Sequence, residues 1–290
     1  MPEGWAWDET LYLGSAPYYV RGRPPYAPGL ADALANLLSL AGRGRLIDVG
    51  CGPGVLTLPL APLVAEAVGV DPDPGMLAEA ARRADAAGIG NVRWVRARGE
   101  DLPADLGRFR LATFGQSFHW MDRPRVAAAV REMLEPGGAC VLVADVKEPP
   151  AARPPLTRPE PPYVAIEALI RDWLGPVRRA GQGLLRHGTP GDEERVLAAA
   201  GFAGPERLAL PPGGPRVMDE DDVVAWVWSL SGSAPHLFGD RRDAFESDLR
   251  RLLHDASPDG RFAEWPADTD VRIWRTPPDE RTGGQARGPA

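Results

Sequence analysis

The sequence predicts an α/β fold in which helices cover both faces of a doubly wound, mostly parallel sheet. Two observations lead to this prediction. Short apolar runs alternate with helical segments through the first half of the chain, and a glycine-rich turn follows the first run at residues 50–54. Parallel strands need helical crossovers, so this alternation is typical of such sheets. A turn of this kind, placed directly after a strand, indicates a ligand-binding edge.

The composition limits the classes of protein to which the chain can belong. Its 290 residues, 44% of them hydrophobic, can bury one large core or a core with a smaller partner. The formal net charge of −7 argues against a nucleic-acid partner, because such proteins present a basic face to phosphates. No long apolar run or signal-peptide pattern is visible, so no membrane association is expected. Cys51 and Cys140 lie in separate predicted elements, which favours a reducing, cytoplasmic location.

The predicted elements of the first half follow one another in regular order. An amphipathic helix at residues 28–41 comes first, with four leucines on one face. Two further helices, at 76–87 and 124–134, separate later strands. Pro59 and Pro62 should shorten the helix after the glycine turn. The predicted strands of this half cover residues 45–49, 66–71, 92–97, 109–115 and 139–145.

The second half begins with a change of amino-acid composition. A proline-rich stretch after residue 147 cannot continue a helix, so it is interpreted as the connector into an insertion. A strand is predicted at 203–212, and an edge strand at 270–276. The predicted organisation comprises an N-terminal arm (1–27), a ligand-binding core (28–146), an inserted helical lid (147–200), the remainder of the core with late helices (201–276) and a disordered tail (277–290).

Gly50, Gly52 and Gly54 give the backbone the freedom to turn tightly and to approach a ligand closely. The dinucleotide fingerprint places its third glycine where Val55 stands, so the spacing fits a nucleoside better than a pyrophosphate. Asp71 follows Gly50 by 21 residues and is expected to hold ribose hydroxyls in either case. The glycine spacing therefore argues against a nicotinamide oxidoreductase. Asp71 alone does not distinguish a dinucleotide site from a nucleoside site.

Four motifs occur in order within residues 46–145: LIDVGCGPG, VGVDPDPGML, ARGEDLP and EPGGACVLVAD. Together they resemble the class I S-adenosylmethionine-dependent methyltransferases, and the resemblance covers residues 15–147. It implies a Rossmann-like, doubly wound, mostly parallel seven-stranded sheet with S-adenosylmethionine (SAM) as cofactor. The residues it implies are Asp48, Gly50, Cys51, Gly52 and Gly54 along the methionine, Asp71 on the ribose, Pro72 and Met76 by the adenine, and Gly99, Glu100 and Asp101 near the adenine amino edge.

Two stretches of the resemblance leave alternatives open. Arg98 stands where one common form of the family has an aspartate, so the adenine contact is open between Glu100 and Asp101. Before the first helix, Tyr19, Arg23 and Tyr26 resemble a segment that closes over the cofactor. The alternative is that the prolines of this segment merely start a helix.

GQSFHWMDR at residues 115–123 follows the fourth strand, at the end of the sheet where ligands bind in such folds. Gln116 and Ser117 are expected to face the cofactor. Imidazoles titrate near neutral pH, so His119 is a candidate general base that removes a proton from the acceptor. The alternative, which the pattern favours, is that His119 only shapes the pocket beside Phe118 and Trp120.

The predicted function is in-line methyl transfer from SAM to a small molecule, as O-, N- or C-methylation, with secondary metabolism as one setting. The alternatives are a methyltransferase-fold protein with a cyclase or regulatory role, and a protein or nucleic-acid methyltransferase. No metal is expected: His187, His236 and His254 lack ligand spacing, and the acidic run 219–222 fits a helix cap. Trp173, Trp226 and Trp228 either wall the substrate pocket or pack in a core.

Overall fold

The computed structural model describes residues 8–146, 152–184 and 191–278. A seven-stranded sheet has the order β3-β2-β1-β4-β5-β11-β8, with β1 to β5 parallel and β11 antiparallel to both its neighbours. The predicted fold class is confirmed. The strands are β1 (Arg45–Val49), β2 (Glu66–Asp71), β3 (Val92–Arg96), β4 (Phe109–Gly115), β5 (Leu134–Asp145), β6 (Arg179–Ala180), β7 (Gly183–Leu184), β8 (Ala203–Leu210), β9 (Arg216–Asp219), β10 (Arg261–Glu264) and β11 (Thr269–Arg275).

Helices lie on both faces of the sheet and form a separate module beside it. The α-helices are α1 (Ala16–Gly22), α2 (Leu30–Leu38), α3 (Thr57–Leu60), α4 (Pro74–Ala86), α5 (Arg123–Met133), α6 (Tyr163–Leu174), α7 (Glu193–Ala199), α8 (Glu220–Trp228) and α9 (Arg242–Ala256). Short 3₁₀ segments cover Ala61–Leu63, Gly99–Asp101, Phe118–Trp120 and Pro235–Arg241. No helix in these described ranges is long and apolar enough to cross a membrane.

Local sequence explains the helix ends near the glycine turn. The carboxylate of Asp73 accepts hydrogen bonds from the amides of Gly75 (2.7 Å) and Met76 (3.1 Å), and Pro74 occupies the first turn, so α4 begins there. Helix α3 has only four residues and passes into a 3₁₀ segment, as Pro59 and Pro62 require.

The prediction that residues 270–276 form an edge strand is wrong. Strand β11 pairs with β5 on one side and with β8 on the other, so β8 is the edge. Val271, Ile273 and Trp274 are almost completely buried, as expected for an interior strand. Strand β11 pairs with strands that are far away in the sequence. A local sequence pattern does not show such pairing.

The predicted lid also needs a correction. Helix α7, which falls within 147–200, packs on the sheet because Val196 and Leu197 join the core beside Phe202. The helical module instead combines two stretches: 152–184, inserted after β5, and 211–267, between β8 and β11. Its core contains Ile166, Trp228, Phe245 and Phe262 among its largest members. Residues 1–7, 147–151, 185–190 and 279–290, and with them His187 and most of the predicted tail, lie outside the described residues.

Candidate cofactor and acceptor site

Two adjoining cavities open at the carboxyl ends of the parallel strands. The smaller has a volume of about 80 Å³ and the larger about 610 Å³. The residues that line both are Tyr19, Gly50, Gly52, Gly115 and Gln116. The glycine turn after β1 and the end of β4 therefore form the junction, as expected at the switch point of a doubly wound sheet.

The glycine turn has backbone angles that favour glycine. The φ angles of Gly50, Gly52 and Gly54 are +70°, +53° and +74°. The amide of Gly50 donates to the carbonyl of Val70 (2.8 Å), and a Cβ on Gly50 would lie 2.5 Å from the Cβ of Ser117. A Cβ on Gly52 would meet no described atom within 4 Å. The turn thus packs on the protein at Gly50 and leaves space for a ligand at Gly52.

Asp71 is held in place by the backbone around it. Its carboxylate accepts hydrogen bonds from the amides of Gly52 (2.8 Å) and Asp73 (2.9 Å). Burial raises the pKa of this carboxyl to about 6, with the hydrogen bonds opposing the rise. Asp71 lines the smaller cavity together with Pro72 and Met76. Each carboxylate oxygen retains acceptor capacity, which fits the two hydroxyls of a ribose.

Asp48 lies at the wall of the larger cavity, almost completely buried. Its two oxygens accept hydrogen bonds from the hydroxyls of Thr57 (2.5 Å) and Thr113 (2.8 Å). Burial raises its pKa to about 6, again against the effect of these hydrogen bonds. A negative carboxylate beside the glycine turn fits the ammonium group of a methionine moiety. Cys51, next in the turn, is buried, which raises the pKa of its thiol and keeps it protonated.

The three residues predicted near the adenine amino edge have different positions in the structure. Gly99 and Glu100 line the smaller cavity, and so does Arg98. The carboxylate of Asp101 instead accepts from the amide of Arg98 (3.2 Å), where it caps the 3₁₀ segment. Glu100 accepts from the amide of Asp122 (2.8 Å), which fixes its orientation. Of the two candidates the sequence left open, the structure thus brings Glu100 to the cavity.

The N-terminal arm covers the junction of the two cavities. The guanidinium of Arg23 lies 5.2 Å from the ring centre of Tyr19, and its Nη2 donates to the carbonyl of Ser229 (2.9 Å). A Cβ on Gly115 would lie 2.8 Å from the Tyr26 hydroxyl, so this ring reaches the end of β4. Helix α2 begins at Leu30, after this segment, and the closing role of Tyr19, Arg23 and Tyr26 stays a prediction.

The loop after β4 differs in part from its predicted role. Gln116 has a left-handed φ of +52°, and its Nε2 donates to the carboxylate of Asp145 (3.1 Å). The Ser117 hydroxyl donates to the carbonyl of Val49 (2.5 Å) and borders the smaller cavity. His119 packs beside Trp120 and is not among the described residues that line either cavity. Its role as general base stays a prediction without support from this geometry.

Some lining residues were missed by the sequence prediction. Asp145 ends β5 at the larger cavity, and Arg216 reaches the same cavity from the helical module. The strand-end position of Asp145 was a usable signal, whereas that of Arg216 depends on tertiary structure. The tryptophans pack in the module: Trp228 is fully buried and Trp173 lies 5.8 Å from the ring of Phe245.

The acidic run at 219–222 is a helix cap, as the sequence indicated. Asp219 accepts from the amide of Asp222, and Asp222 accepts from the amide of Asp219, both at 2.9 Å. This reciprocal arrangement satisfies the amino end of α8. Among the residues that the structure describes, no group of three acidic, histidine or cysteine side chains could hold a metal ion.

Comparison with known proteins identifies the family. The family model described as a methyltransferase domain matches residues 46–138. A ubiquinone biosynthesis O-methyltransferase of Cereibacter sphaeroides is 36% identical over 188 residues, covering 64% of this chain and 68% of that protein. The chain therefore belongs to the class I SAM-dependent methyltransferases, as the motifs predicted.

Two further comparisons agree with this membership. An uncharacterized methyltransferase of Mycobacterium tuberculosis is 35% identical over 144 residues, or 49% of this chain. That match spans 55%, about half, of the relative's own length. The solved structure of the YcgJ protein from Bacillus subtilis has a TM-score of 0.50 at 17% identity and covers 86% of this chain and 98% of that one. The last likeness concerns the fold.

Proposed function

We propose that this chain transfers a methyl group from SAM to a small organic molecule in the cytoplasm. The observation that carries the proposal is the junction of two cavities at one glycine turn, the smaller lined by Asp71, Met76 and Glu100. The adenosine of the methyl donor would lie on the side of the smaller cavity, and the larger cavity has room for its methionine and an acceptor. The O-methyltransferase among the relatives supports the same class of reaction.

The residues divide the work of binding between them. Asp71 would accept the ribose hydroxyls, Pro72 and Met76 would flank the adenine, and Glu100 would accept from its amino group. Asp48 would face the methionine ammonium. When bound, SAM supplies a methyl group attached to a sulfonium sulfur. After transfer of the methyl group, this sulfur remains as a neutral thioether. The protein then has to hold the acceptor in line and exclude water, which contributes up to about 7–11 kcal/mol in such reactions.

Calorimetry tests the cofactor assignment first. SAM and its demethylated product, S-adenosylhomocysteine (SAH), should both bind, and NAD should not, because the turn accommodates a nucleoside and not a pyrophosphate. Transfer of a tritiated methyl group from SAM to small organic acceptors then tests the activity. Tight NAD binding without a response to SAM would contradict the proposal. Binding of SAM without methyl transfer to any acceptor would favour the cyclase or regulatory alternative.

A further inference from the structure

Arginines outnumber carboxylates in the lining of the larger cavity, and the arginines differ in whether they are paired. Arg21, Arg23, Arg83 and Arg216 line it, against the carboxylates Asp48 and Asp145. The chain as a whole carries a net charge of −7, so a wall richer in arginine than in carboxylate is a local feature. Such a wall favours an anionic ligand.

Three of these guanidinium groups are already engaged. Arg21 pairs with Asp219 (2.9 Å) and Asp222 (2.7 Å) at the start of α8. Arg216 donates to the carbonyl of Gly22 (2.9 Å) and lies 3.4 Å from a carboxylate oxygen of Glu264. Arg83 donates to a backbone carbonyl of the glycine turn. These three groups hold the arm and the turn in place.

Arg23 differs from the other three. Its Nη2 donates to a carbonyl, whereas its buried Nε makes no hydrogen bond within the described structure. It has no salt bridge with any described carboxylate. The Nε is shielded from solvent, but a guanidinium at a cavity wall with no carboxylate partner leaves its positive charge available to an anionic ligand. Arg23 is thus the group in the larger cavity that is best placed to bind an anion.

The same cavities offer little to remove a proton from an acceptor. Among the described residues that line them there is no lysine or histidine. Burial raises the pKa of Tyr26 and of the Cys51 thiol, so neither forms an anion near neutral pH. Asp48 is enclosed by two threonine hydroxyls. Asp145, bonded to Gln116, remains a candidate base in the larger cavity, whereas the carboxylates Glu9, Asp71, Asp73 and Glu100 line the smaller one, where the adenosine is proposed to bind. An acceptor atom that is already deprotonated and anionic at neutral pH would need none of them.

We infer that the acceptor is a small organic acid with an apolar body, that its carboxylate oxygen is the methylated atom, and that Arg23 orients the acid group. The inference rests on the proposed methyltransferase function. Leu30, Leu56 and Leu60, which are all buried, line the cavity and would contact the apolar body.

The chemistry balances without a base. One carboxylate oxygen forms a bond to the methyl carbon, while the carbon–sulfur bond breaks and its electron pair stays on sulfur. The products are a neutral methyl ester and a neutral thioether, and no proton is transferred. Because a negative and a positive charge disappear together, exclusion of water from the site by the bound ligands favours the step. Arg23 binds the anion more strongly than the transition state, so it contributes to acceptor binding more than to turnover.

A matched set of acceptors tests the inference. The chain is incubated with tritiated SAM and either a pool of aliphatic and aromatic monocarboxylates, the corresponding alcohols or the corresponding amines. We expect methyl transfer to the acids. The rate with the acids should be at least about ten times the rate with the alcohols or with the amines, because the site has no base. The transferred methyl should be released as volatile methanol by mild alkali, as esters allow. Transfer to alcohols or amines, or a base-stable product, overturns the carboxylate inference and leaves the methyltransferase proposal intact. No transfer to any pool contradicts both.

Two variants test the residues. Arg23→Gln should raise the acid's KM by about tenfold or more, with a smaller change in kcat, while SAH affinity changes by less than about threefold. Arg23→Lys, which keeps the charge, should recover part of the loss. If Arg23→Gln weakens SAH and leaves the acid's KM unchanged, Arg23 serves the cofactor, as the sequence resemblance implied.

Asp145→Asn separates the carboxylate inference from base catalysis. Removal of a like charge should raise kcat/KM for the acid, by roughly twofold to fivefold for a partly exposed site. A loss of about a hundredfold or more would identify Asp145 as a general base and overturn the inference.

Discussion

The cofactor-binding half of the sheet and the helical module differ in how their contacts are built. In the first, the two candidate carboxylates are fixed by hydrogen bonds: Asp71 accepts from Gly52 and Asp73, and Asp48 accepts from Thr57 and from the more distant Thr113. In the module, α6 packs with α8 and α9 across chain separations of tens of residues. Hydrogen bonds thus hold the carboxylates of the candidate site, whereas long-range apolar packing holds the module together.

The arm joins the two regions at one close contact. A Cβ on Gly22 would lie 2.4 Å from the backbone of Ala225, so α1 and α8 approach as closely as their backbones allow. Ser15 donates to the carbonyl of Trp228 (2.7 Å) beside this contact. The difference between the regions therefore predicts that damage to the module should reach the cofactor site mainly through the arm and through Arg216, which lines the larger cavity.

The largest effect is expected when the module loses its central aromatic side chain. Trp228 is fully buried, with the rings of Phe238 and Phe245 each 5.3 Å away. Trp228→Ala should lower the free energy of unfolding of the module by about 3–5 kcal/mol. Denaturant titration should show the module unfolding before the sheet. Val164→Ala, at a side chain that is 81% exposed, is the control and should have little effect. A single transition with parallel loss of SAH binding would show that the regions unfold as one.

A smaller loss of stability is expected at the glycine turn. Gly50→Ala combines a positive φ with a contact to Ser117, so it should cost roughly 2–4 kcal/mol of strain and overpacking. Gly42→Ala is the matched control, because its φ is +71° but no described atom lies within 4 Å of the new Cβ. It should cost only the backbone strain, about 1–2 kcal/mol. Equal losses, measured by denaturant titration, would show that the contact with Ser117 relaxes freely.

Asp71→Asn tests the cofactor half without disturbing its core. Asparagine keeps one oxygen acceptor but loses the negative charge, so hydrogen bonds from the ribose should weaken. We expect about 1.5–3 kcal/mol less favourable binding of SAH, measured by calorimetry. Asp85→Asn, at an exposed position of α4, should bind SAH like the parent chain. An unchanged affinity in Asp71→Asn would place the ribose elsewhere.

For each carboxyl taken singly, the smallest effect is the pH dependence of cofactor affinity. The pKa of Asp71 is raised to about 6, so its carboxyl gains a proton as the pH falls through that value. A protonated carboxyl is a poorer acceptor, and SAH affinity should fall about tenfold between pH 7 and pH 5 for each such group. Asp48, with its pKa also near 6, adds to the fall. Asp71→Asn should therefore retain a shallower pH dependence. An affinity in the parent chain that is flat down to pH 5 would contradict both assignments.

The sequence by itself determined the parallel strands, the glycine turn and the positions of Asp48 and Asp71. These features depend on residue types and spacings within a few dozen residues, and strand ends of a parallel sheet always meet at one edge. The Pro59 and Pro62 effect on α3 was predictable for the same reason, since proline acts on its own helix.

Only the tertiary structure decided where β11 and α7 lie, which of Glu100 and Asp101 lines the smaller cavity, and that His119 is not among the described residues lining either cavity. It also brought Arg216 from the helical module to the wall that Arg23 shares. Strand order and module boundaries follow from burying apolar faces against segments far away in the chain. Side-chain direction in a short loop depends on whole-fold packing, as the left-handed φ of Gln116 shows. The spacing of residues in the sequence determines the local hydrogen bonds. The acceptor wall, in contrast, forms only when apolar faces of distant segments pack together.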